Sequence, residues 1–186
     1  MSLYSRIHMN DKGIRMKFKS WSRVAVLALV LPNVAWAWQQ ECEPQFDSFT
    51  QVQTQANKGN AEAQYWLGEA YFDGSNVFEA PLEVDYVQAR AWYDKAAAQQ
   101  DACAQHAIGW MYDSGEGVDE DMTQAFAWYE KAAKQGLSKS QFNLGVLYRD
   151  GAGVEQNMNA AKTWFAKAAA QGDEEAAAEL ADWPQE

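Results

Sequence analysis

Small and hydrophobic residues recur between positions 59 and 172 with the spacing of α-helices, in two alternating patterns. The first pattern places an aliphatic residue, a glycine and a tyrosine on one face, as Leu67, Gly68 and Tyr71 do. The second has the spacing i, i+3, i+4, i+7 and i+8. Its members in the first copy are Ala89, Trp92, Tyr93, Ala96 and Ala97. Together the two patterns predict a series of paired amphipathic helices.

The helix pairs follow one another with a period of 36 residues, marked by Trp92, Trp128 and Trp164. The glycine-rich links 115–118 and 151–154 supply the positive φ angles of tight helix–helix turns. The two patterns lie 19 residues apart in the second and third copies but 24 apart in the first, which indicates a five-residue insertion. One such pair cannot bury its hydrophobic face alone, so the copies must stack.

The chain therefore divides into half and full repeats. Residues 46–58 match a second helix, and residues 173–183 match a first helix with a polar outer face suited to a terminal cap. The predicted segments are a leader (1–37), an N-terminal segment with a half-repeat helix (38–58), three full repeats (59–100, with a loop insertion at 75–81, then 101–136 and 137–172) and a C-terminal capping helix (173–186).

Glycines test this division. Gly59, Gly136 and Gly172 end helices where a left-handed cap is expected, whereas Gln100 stands at the equivalent place after the first repeat. We therefore expect a strained or altered junction at Gln100. A further glycine in the middle of each first helix should cost about 1 kcal/mol relative to alanine, which suggests close backbone approach by the paired helix. These glycines are Gly68, Gly109 and Gly145.

The shared pattern is A-x-A-Q-x-x-L-G-x-x-Y-x-x-G followed by A-x-x-W-Y-x-K-A-A-x-Q-G. It resembles the Sel1-like repeat, a relative of the tetratricopeptide repeat, over residues 59–172. The resemblance implies an all-α fold, a right-handed α-solenoid of helix–turn–helix repeats, used for protein–protein contacts and often as an adaptor. The chain departs from the pattern in the insertion, in Gln100 and in Phe165, which replaces a tyrosine.

The first 37 residues are typical of a secretory signal peptide. Six basic residues precede a 14-residue apolar stretch that ends in Ala35-Trp36-Ala37, a small-x-small cleavage signature. Met16 opens a leader of more ordinary length, so translation is expected to start there. The alternative is an uncleaved anchor, although a spanning helix needs roughly 20 apolar residues. We therefore predict export to the bacterial periplasm or secretion after cleavage near Ala37.

Charge sharpens this prediction. The 186 residues carry 15 Lys+Arg and 26 Asp+Glu, for a net charge of −11. The leader accounts for six basic residues and one acid, so the mature chain keeps 9 and 25, a charge of −16. Such acidity argues against nucleic-acid binding, because phosphate neutralisation needs clustered Lys and Arg. It predicts a protein partner with a basic surface and salt-sensitive association.

Candidate catalytic groups are sparse. One histidine, His106, follows the leader, and the chain contains no H-E-x-x-H, G-x-S-x-G or S-x-x-K motif. We therefore expect no enzymatic activity, no cofactor and no metal site. The acidic runs 119–121 and 173–175 lie at predicted helix N-termini, where negative charge favours the helix dipole. A cysteine-rich branch of the resembled family is associated with penicillin binding or β-lactam hydrolysis, but its dense cysteine pattern is absent.

Cys42 and Cys103 leave two alternatives open, a disulfide or two free thiols. A disulfide would close a loop of about 60 residues and stabilise the fold by roughly 4 kcal/mol in the chain-entropy model. Cys42 precedes the half-repeat helix, whereas Cys103 begins a first helix at the opposite end of the stack. The segment 42–47 would have to run back along the stack to join them.

In the related tetratricopeptide geometry the first helices line a concave groove, which we call the first-helix face. Its outward positions are Glu62, Tyr65, Glu69 and Phe72, then Cys103, His106, Trp110 and Asp113, then Lys139, Phe142, Val146 and Arg149. The residues predicted to bind a partner are Tyr65, Glu69, Phe72, His106, Trp110, Asp113, Phe142 and Arg149, together with Phe78 in the insertion. Aromatic residues anchor interfaces, and we expect Tyr65 and Trp110 to be exposed. The alternatives are that the rings pack between repeats and that Phe78 folds back on its own repeat.

The predicted function is that of an exported adaptor that binds another protein. A periplasmic immunity or inhibitor protein against a toxic effector is one alternative within that class. An envelope-assembly scaffold that binds several proteins is another. A peptidoglycan- or β-lactam-acting enzyme is the catalytic alternative, which the missing motifs disfavour.

Overall fold

The computed structural model describes residues 42–74 and 82–184, and the regular structure within these ranges is helical. The helices are α1 (Phe49–Asn57), α2 (Ala61–Asp73), α3 (Tyr86–Ala97), α4 (Ala102–Ser114), α5 (Met122–Lys134), α6 (Ser138–Asp150), α7 (Met158–Ala169) and α8 (Glu174–Ala181). None of these helices is long and apolar enough to cross a bilayer. The predicted leader (1–37) and the insertion with Phe78 lie outside the described residues.

Each helix packs against the next one in the chain. The closest pairs are α2 with α3, α4 with α5 and α6 with α7, which are the three predicted helix–turn–helix repeats. Helix α1 packs against α2 and α8 packs against α7, so half-repeats flank the full repeats on both sides. The predicted all-helical repeat fold is thereby confirmed.

Side-chain caps explain where most helices begin. The N-cap oxygens of Asp121 and Asp173 accept hydrogen bonds from backbone N–H groups in the first turns of α5 and α8. Such a cap stabilises a helix by about 1 kcal/mol. The two acidic runs therefore include helix caps, in agreement with their predicted place at helix N-termini. Helix α6 differs, because its N-cap residue is Leu137 and no side chain caps it.

An aromatic ring covers each mid-helix glycine. A Cβ atom added at Gly68 would lie 2.5 Å from the ring of Tyr93, and one added at Gly109 would lie 2.7 Å from the ring of Tyr129. Phe165 takes the same place over Gly145. All three rings are almost completely buried. The expected close approach of the paired helix is present, and at Gly68 it includes the backbone oxygen of Ala89 at 3.2 Å, but at all three glycines the nearest atoms belong to a ring.

The junction after the first repeat is strained as predicted. Gln100 has a φ of +65°, in the left-handed region that Gly136 and Gly172 occupy at the later junctions. The N–H groups of Gln100 and Asp101 donate to the carbonyl oxygens of Ala97 and Ala96, as their counterparts do after α5 and α7. The first junction therefore keeps the shared geometry without the glycine that suits it.

We expect Gln100→Gly to raise the free energy of unfolding by about 1 kcal/mol. Glycine relieves the left-handed strain of the folded state, and this gain exceeds the entropic cost of making the unfolded chain more flexible. Urea denaturation followed by circular dichroism measures this change. Gly136→Gln is the matched control and should destabilise the protein by a similar amount. A Gln100→Gly protein less stable than the wild type would show that the Gln100 side chain contributes more than the strain.

Candidate functional site

The first-helix face is formed by the outward positions of α2, α4 and α6. Trp110 is its most exposed large hydrophobic residue, with 46% of its surface accessible. Glu69 of α2 and Val146 of α6 hold the equivalent positions one repeat before and one repeat after Trp110. His106 of α4 meets Ser140 of α6, and the charge of Lys139 on α6 acts on both His106 and Glu69 of α2.

Most other rings of the first-helix face are packed rather than exposed. Tyr65 is only 9% exposed; it stacks on Tyr93 at a centroid distance of 6.0 Å and meets Trp66 edge-on at 4.9 Å. The prediction that Tyr65 is exposed is therefore wrong. The covering contact comes from the second helix of the same repeat, whereas the alternative had placed it between repeats.

Two further rings follow the same rule. Phe72 lies 5.1 Å from Tyr86 and Phe142 lies 5.6 Å from Phe165, measured between ring centroids. Both are half-buried. The ring that covers each mid-helix glycine thus also supports the residue two positions before the buried Leu or Ile. Trp110 lies two positions after the buried Ile108 and remains exposed.

His106 lies between the second and third repeats. Its ring is 5.3 Å from the ring of Tyr129, and its Nδ1 atom is 2.8 Å from the Oγ atom of Ser140. Burial, helped by the nearby charge of Lys139, lowers the pKa of His106 to about 4. Ser140 is completely buried, so its hydroxyl cannot meet a substrate as the nucleophile of a Ser–His pair would. The pair instead joins α4 to α6.

Tyrosine hydroxyls from the second helices bond to two acidic residues of the first-helix face. The hydroxyl of Tyr93 donates to Glu69 at 2.7 Å, and the hydroxyl of Tyr129 donates to Asp113 at 3.1 Å. Burial raises the pKa of Glu69 to about 7 and also raises the pKa of Asp113. The third repeat has no such pair, because Phe165 has no hydroxyl.

Arg149 is held by the C-terminal cap. Its Nη1 atom donates to Glu179 of α8 at 2.7 Å, and its Nε atom donates to Asp150 at the same distance. The ion pair with Glu179 joins α6 to α8, whereas the pair with Asp150 lies within α6. Its structural role is therefore clear, whereas its predicted contact with a partner stays a prediction.

Cys42 and Cys103 form a disulfide, with their Cα atoms 5.9 Å apart. Residues 42–46 are not helical, and the backbone of Gln45 hydrogen-bonds the carboxylate of Glu62 in the first turn of α2. The segment thus runs back along the stack, as the disulfide required. Helix α1 has 9 residues and spans about 13 Å, a distance that six extended residues cover. The alternative of free thiols is wrong.

The disulfide borders a cleft of about 430 Å³ that draws residues from all three repeats. Glu43, Glu62 and Asp101 give its wall acidic groups, while Tyr65 and Leu137 give it apolar ones. Across residues 42–74 and 82–184, no group of three or more His, Cys, Asp or Glu side chains is arranged to hold a metal ion.

Comparisons with known proteins agree with the repeat architecture. The family model of the Sel1 repeat matches residues 61–101, 104–137 and 138–173. A Sel1 repeat protein from Oxalobacter formigenes has a similar structure with a TM-score of 0.65 and 39% identity, and the match covers 72% of this chain and 97% of that one. No curated protein matches the chain.

Two further solved structures are similar. The protein c5321, a protective antigen present in uropathogenic Escherichia coli strains, aligns with a TM-score of 0.64 and 39% identity over 68% of this chain and 26% of its own. The cysteine-rich protein B of Helicobacter pylori aligns with a TM-score of 0.55 over 72% of this chain and 98% of its own. Its identity of 21% supports a shared fold.

Proposed function

Because the chain belongs to the Sel1 repeat family, we propose that it is an exported, non-catalytic module that binds another protein through the first-helix face. Modules of this family generally mediate protein interactions. The observation that carries the proposal is Trp110, which exposes nearly half of its surface on a face where the neighbouring rings are packed. Tryptophan is enriched among the residues that contribute most to protein interfaces.

Export is the second part of the proposal. It rests on the signal-peptide pattern of residues 1–37, and the disulfide is consistent with an oxidising compartment such as the bacterial periplasm. The charge of −16 calculated for the mature chain favours a partner with a basic surface. Association should then weaken as the salt concentration rises.

The absence of catalysis is the third part. The histidine and serine that approach each other, His106 and Ser140, form a part-buried contact between helices, and the remaining sequence offers no nucleophile–base motif. Glu69 and Asp113 are bonded by tyrosines and serve the surface that we assign to binding. The face therefore supports recognition rather than turnover.

We expect Trp110→Ala to reduce capture of the partner from bacterial envelope extracts at least tenfold, because a buried interface tryptophan commonly contributes 2 kcal/mol or more, about thirtyfold in affinity. Quantitative mass spectrometry of proteins retained by the immobilised, leader-free chain measures the loss. Trp164→Ala is the matched control, because Trp164 lies on the second helix α7, under Lys167. Equal retention by wild type and a folded Trp110→Ala variant would contradict binding through this face.

A further inference from the structure

Glu69 is an unusual acid within the first-helix face. Its carboxylate accepts a hydrogen bond from the Tyr93 hydroxyl and is also bonded by Tyr65, and both of these rings are buried. Within the described ranges, no Lys, Arg or His nitrogen lies within 4 Å of it. Glu69 itself remains partly accessible from the face. The protein thus holds a carboxylate that is largely removed from water, fixed in position and, although the charge of Lys139 acts on it, without an ion pair within 4 Å among the described residues.

The groups around Glu69 favour a cation from outside. Trp110 holds the equivalent position on the next first helix and presents an exposed indole. An aromatic surface of this kind accepts the methylene stem or the charged group of a basic side chain. Asp73 adds negative charge beside Glu69, and Asp113 adds negative charge on the second repeat.

We propose that the first-helix face binds an extended segment of a partner protein through a lysine or arginine side chain, whose cation pairs with Glu69 and whose stem lies against Trp110. This inference rests on the proposed function and names the chemistry of its partner. Charge complementarity selects the occupant, because an acidic segment would meet Glu69, Asp73 and Asp113. Cationic Lys139 lies towards the third repeat, so the basic side chain of the segment belongs at the first repeat.

Binding of a cation should depend on pH in a defined direction. Burial raises the pKa of Glu69 to about 7, so the carboxyl is largely protonated at lower pH and must ionise to pair with the cation. The other charged or titratable groups that act on it are Tyr65 and Asp73 of α2, Tyr93 of α3 and Lys139 of α6. Affinity should therefore increase about tenfold from about pH 6 to about pH 8, as the ionised fraction of Glu69 rises.

The test uses random-sequence peptides displayed on phage and selected on the immobilised, leader-free protein. The wild type should enrich peptides that contain lysine or arginine. Glu69→Gln, which keeps the size and one oxygen of the side chain, should still select peptides but lose that enrichment. Glu130→Gln is the matched control, because it removes one negative charge from a second helix, where Glu130 pairs with Lys134.

The outcomes separate this inference from the proposed function. Wild-type selection of peptides without an excess of basic residues would overturn the inference while leaving binding through the face intact. If the wild type enriches nothing beyond what Trp110→Ala enriches, both are overturned. If Glu69→Gln fails to fold, the test uses the wild type alone. A selected peptide that contains lysine but no histidine should then bind the wild type about tenfold more tightly near pH 8 than near pH 6. An affinity independent of pH would overturn the inference.

Discussion

Replacing Cys42 and Cys103 with serine is expected to lower the free energy of unfolding by about 4 kcal/mol. The disulfide joins residues 61 positions apart, and such a cross-link removes about that much conformational free energy from the unfolded chain. The disulfide also fastens the non-helical segment 42–46 to the start of α4. Phe46 of this segment packs against the core of the first two repeats. Urea denaturation of the oxidised wild type and the double variant measures the difference.

Chemical reduction provides the control for this loss. A dithiol reductant should add two hydrogens to the mass of the wild type and bring its stability to that of the double variant. The same reductant should leave the variant unchanged, since it has no disulfide to break. A double variant that unfolds within about 1 kcal/mol of the oxidised wild type would show that the cross-link hardly restricts the unfolded chain.

The repeat fold was predictable because local spacing and long-range packing carry the same period. Every 36 residues the chain places an aromatic ring on a second helix, and this ring meets a glycine of the preceding first helix in each repeat, as in Gly109 and Tyr129. A buried glutamine on each first helix bonds a glutamine at the end of the second helix. Gln99 bonds Gln64, Gln135 bonds Gln105, and Gln171 bonds Gln141. These pairs were visible as repeated letters, but periodicity alone did not reveal that each pair joins the first helix of a repeat to the end of the second helix of the same repeat.

Exposure on the first-helix face was less predictable. Helical spacing identifies which residues point away from the core of their own helix, and it places Tyr65 and Trp110 alike on the outward side. What separates them is the ring of the second helix, which extends beneath Tyr65 and not beneath Trp110. That difference depends on packing between helices, which the pattern along a single helix does not contain.

The two acid–tyrosine pairs and the disulfide were hidden for a related reason. Glu69 and Tyr93 are 24 residues apart and meet only once α2 and α3 have docked. The course of residues 42–46 has no periodic signal, so only the cysteine count indicated that they return to α4. Phe165 departs from the pattern of the repeat, and the structure gives its consequence, since the third repeat lacks a hydroxyl to bond an acid.

Acidification is expected to remove about 2 to 3 kcal/mol of stability through His106 between about pH 7.5 and about pH 4.5. Burial lowers the pKa of His106 to about 4, below the value near 6.5 of an unfolded chain. The unfolded state therefore binds a proton in this range that the folded state excludes. The contribution of neutral His106 is complete above about pH 6.5 and is lost as the pH falls towards 4.

His106→Gln isolates this effect, because glutamine can still bond Ser140 but does not titrate. Glu69 acts in the opposite direction: its raised pKa means that protonation on acidification favours the folded state. The pH dependence of the wild type alone therefore mixes two opposing contributions. The difference in unfolding free energy between wild type and His106→Gln, measured by urea denaturation at each pH, removes the contribution of Glu69. On acidification the wild type should lose about 2 to 3 kcal/mol of unfolding free energy relative to His106→Gln. A difference that stays constant with pH would show that His106 protonates as easily in the folded protein as in the unfolded chain.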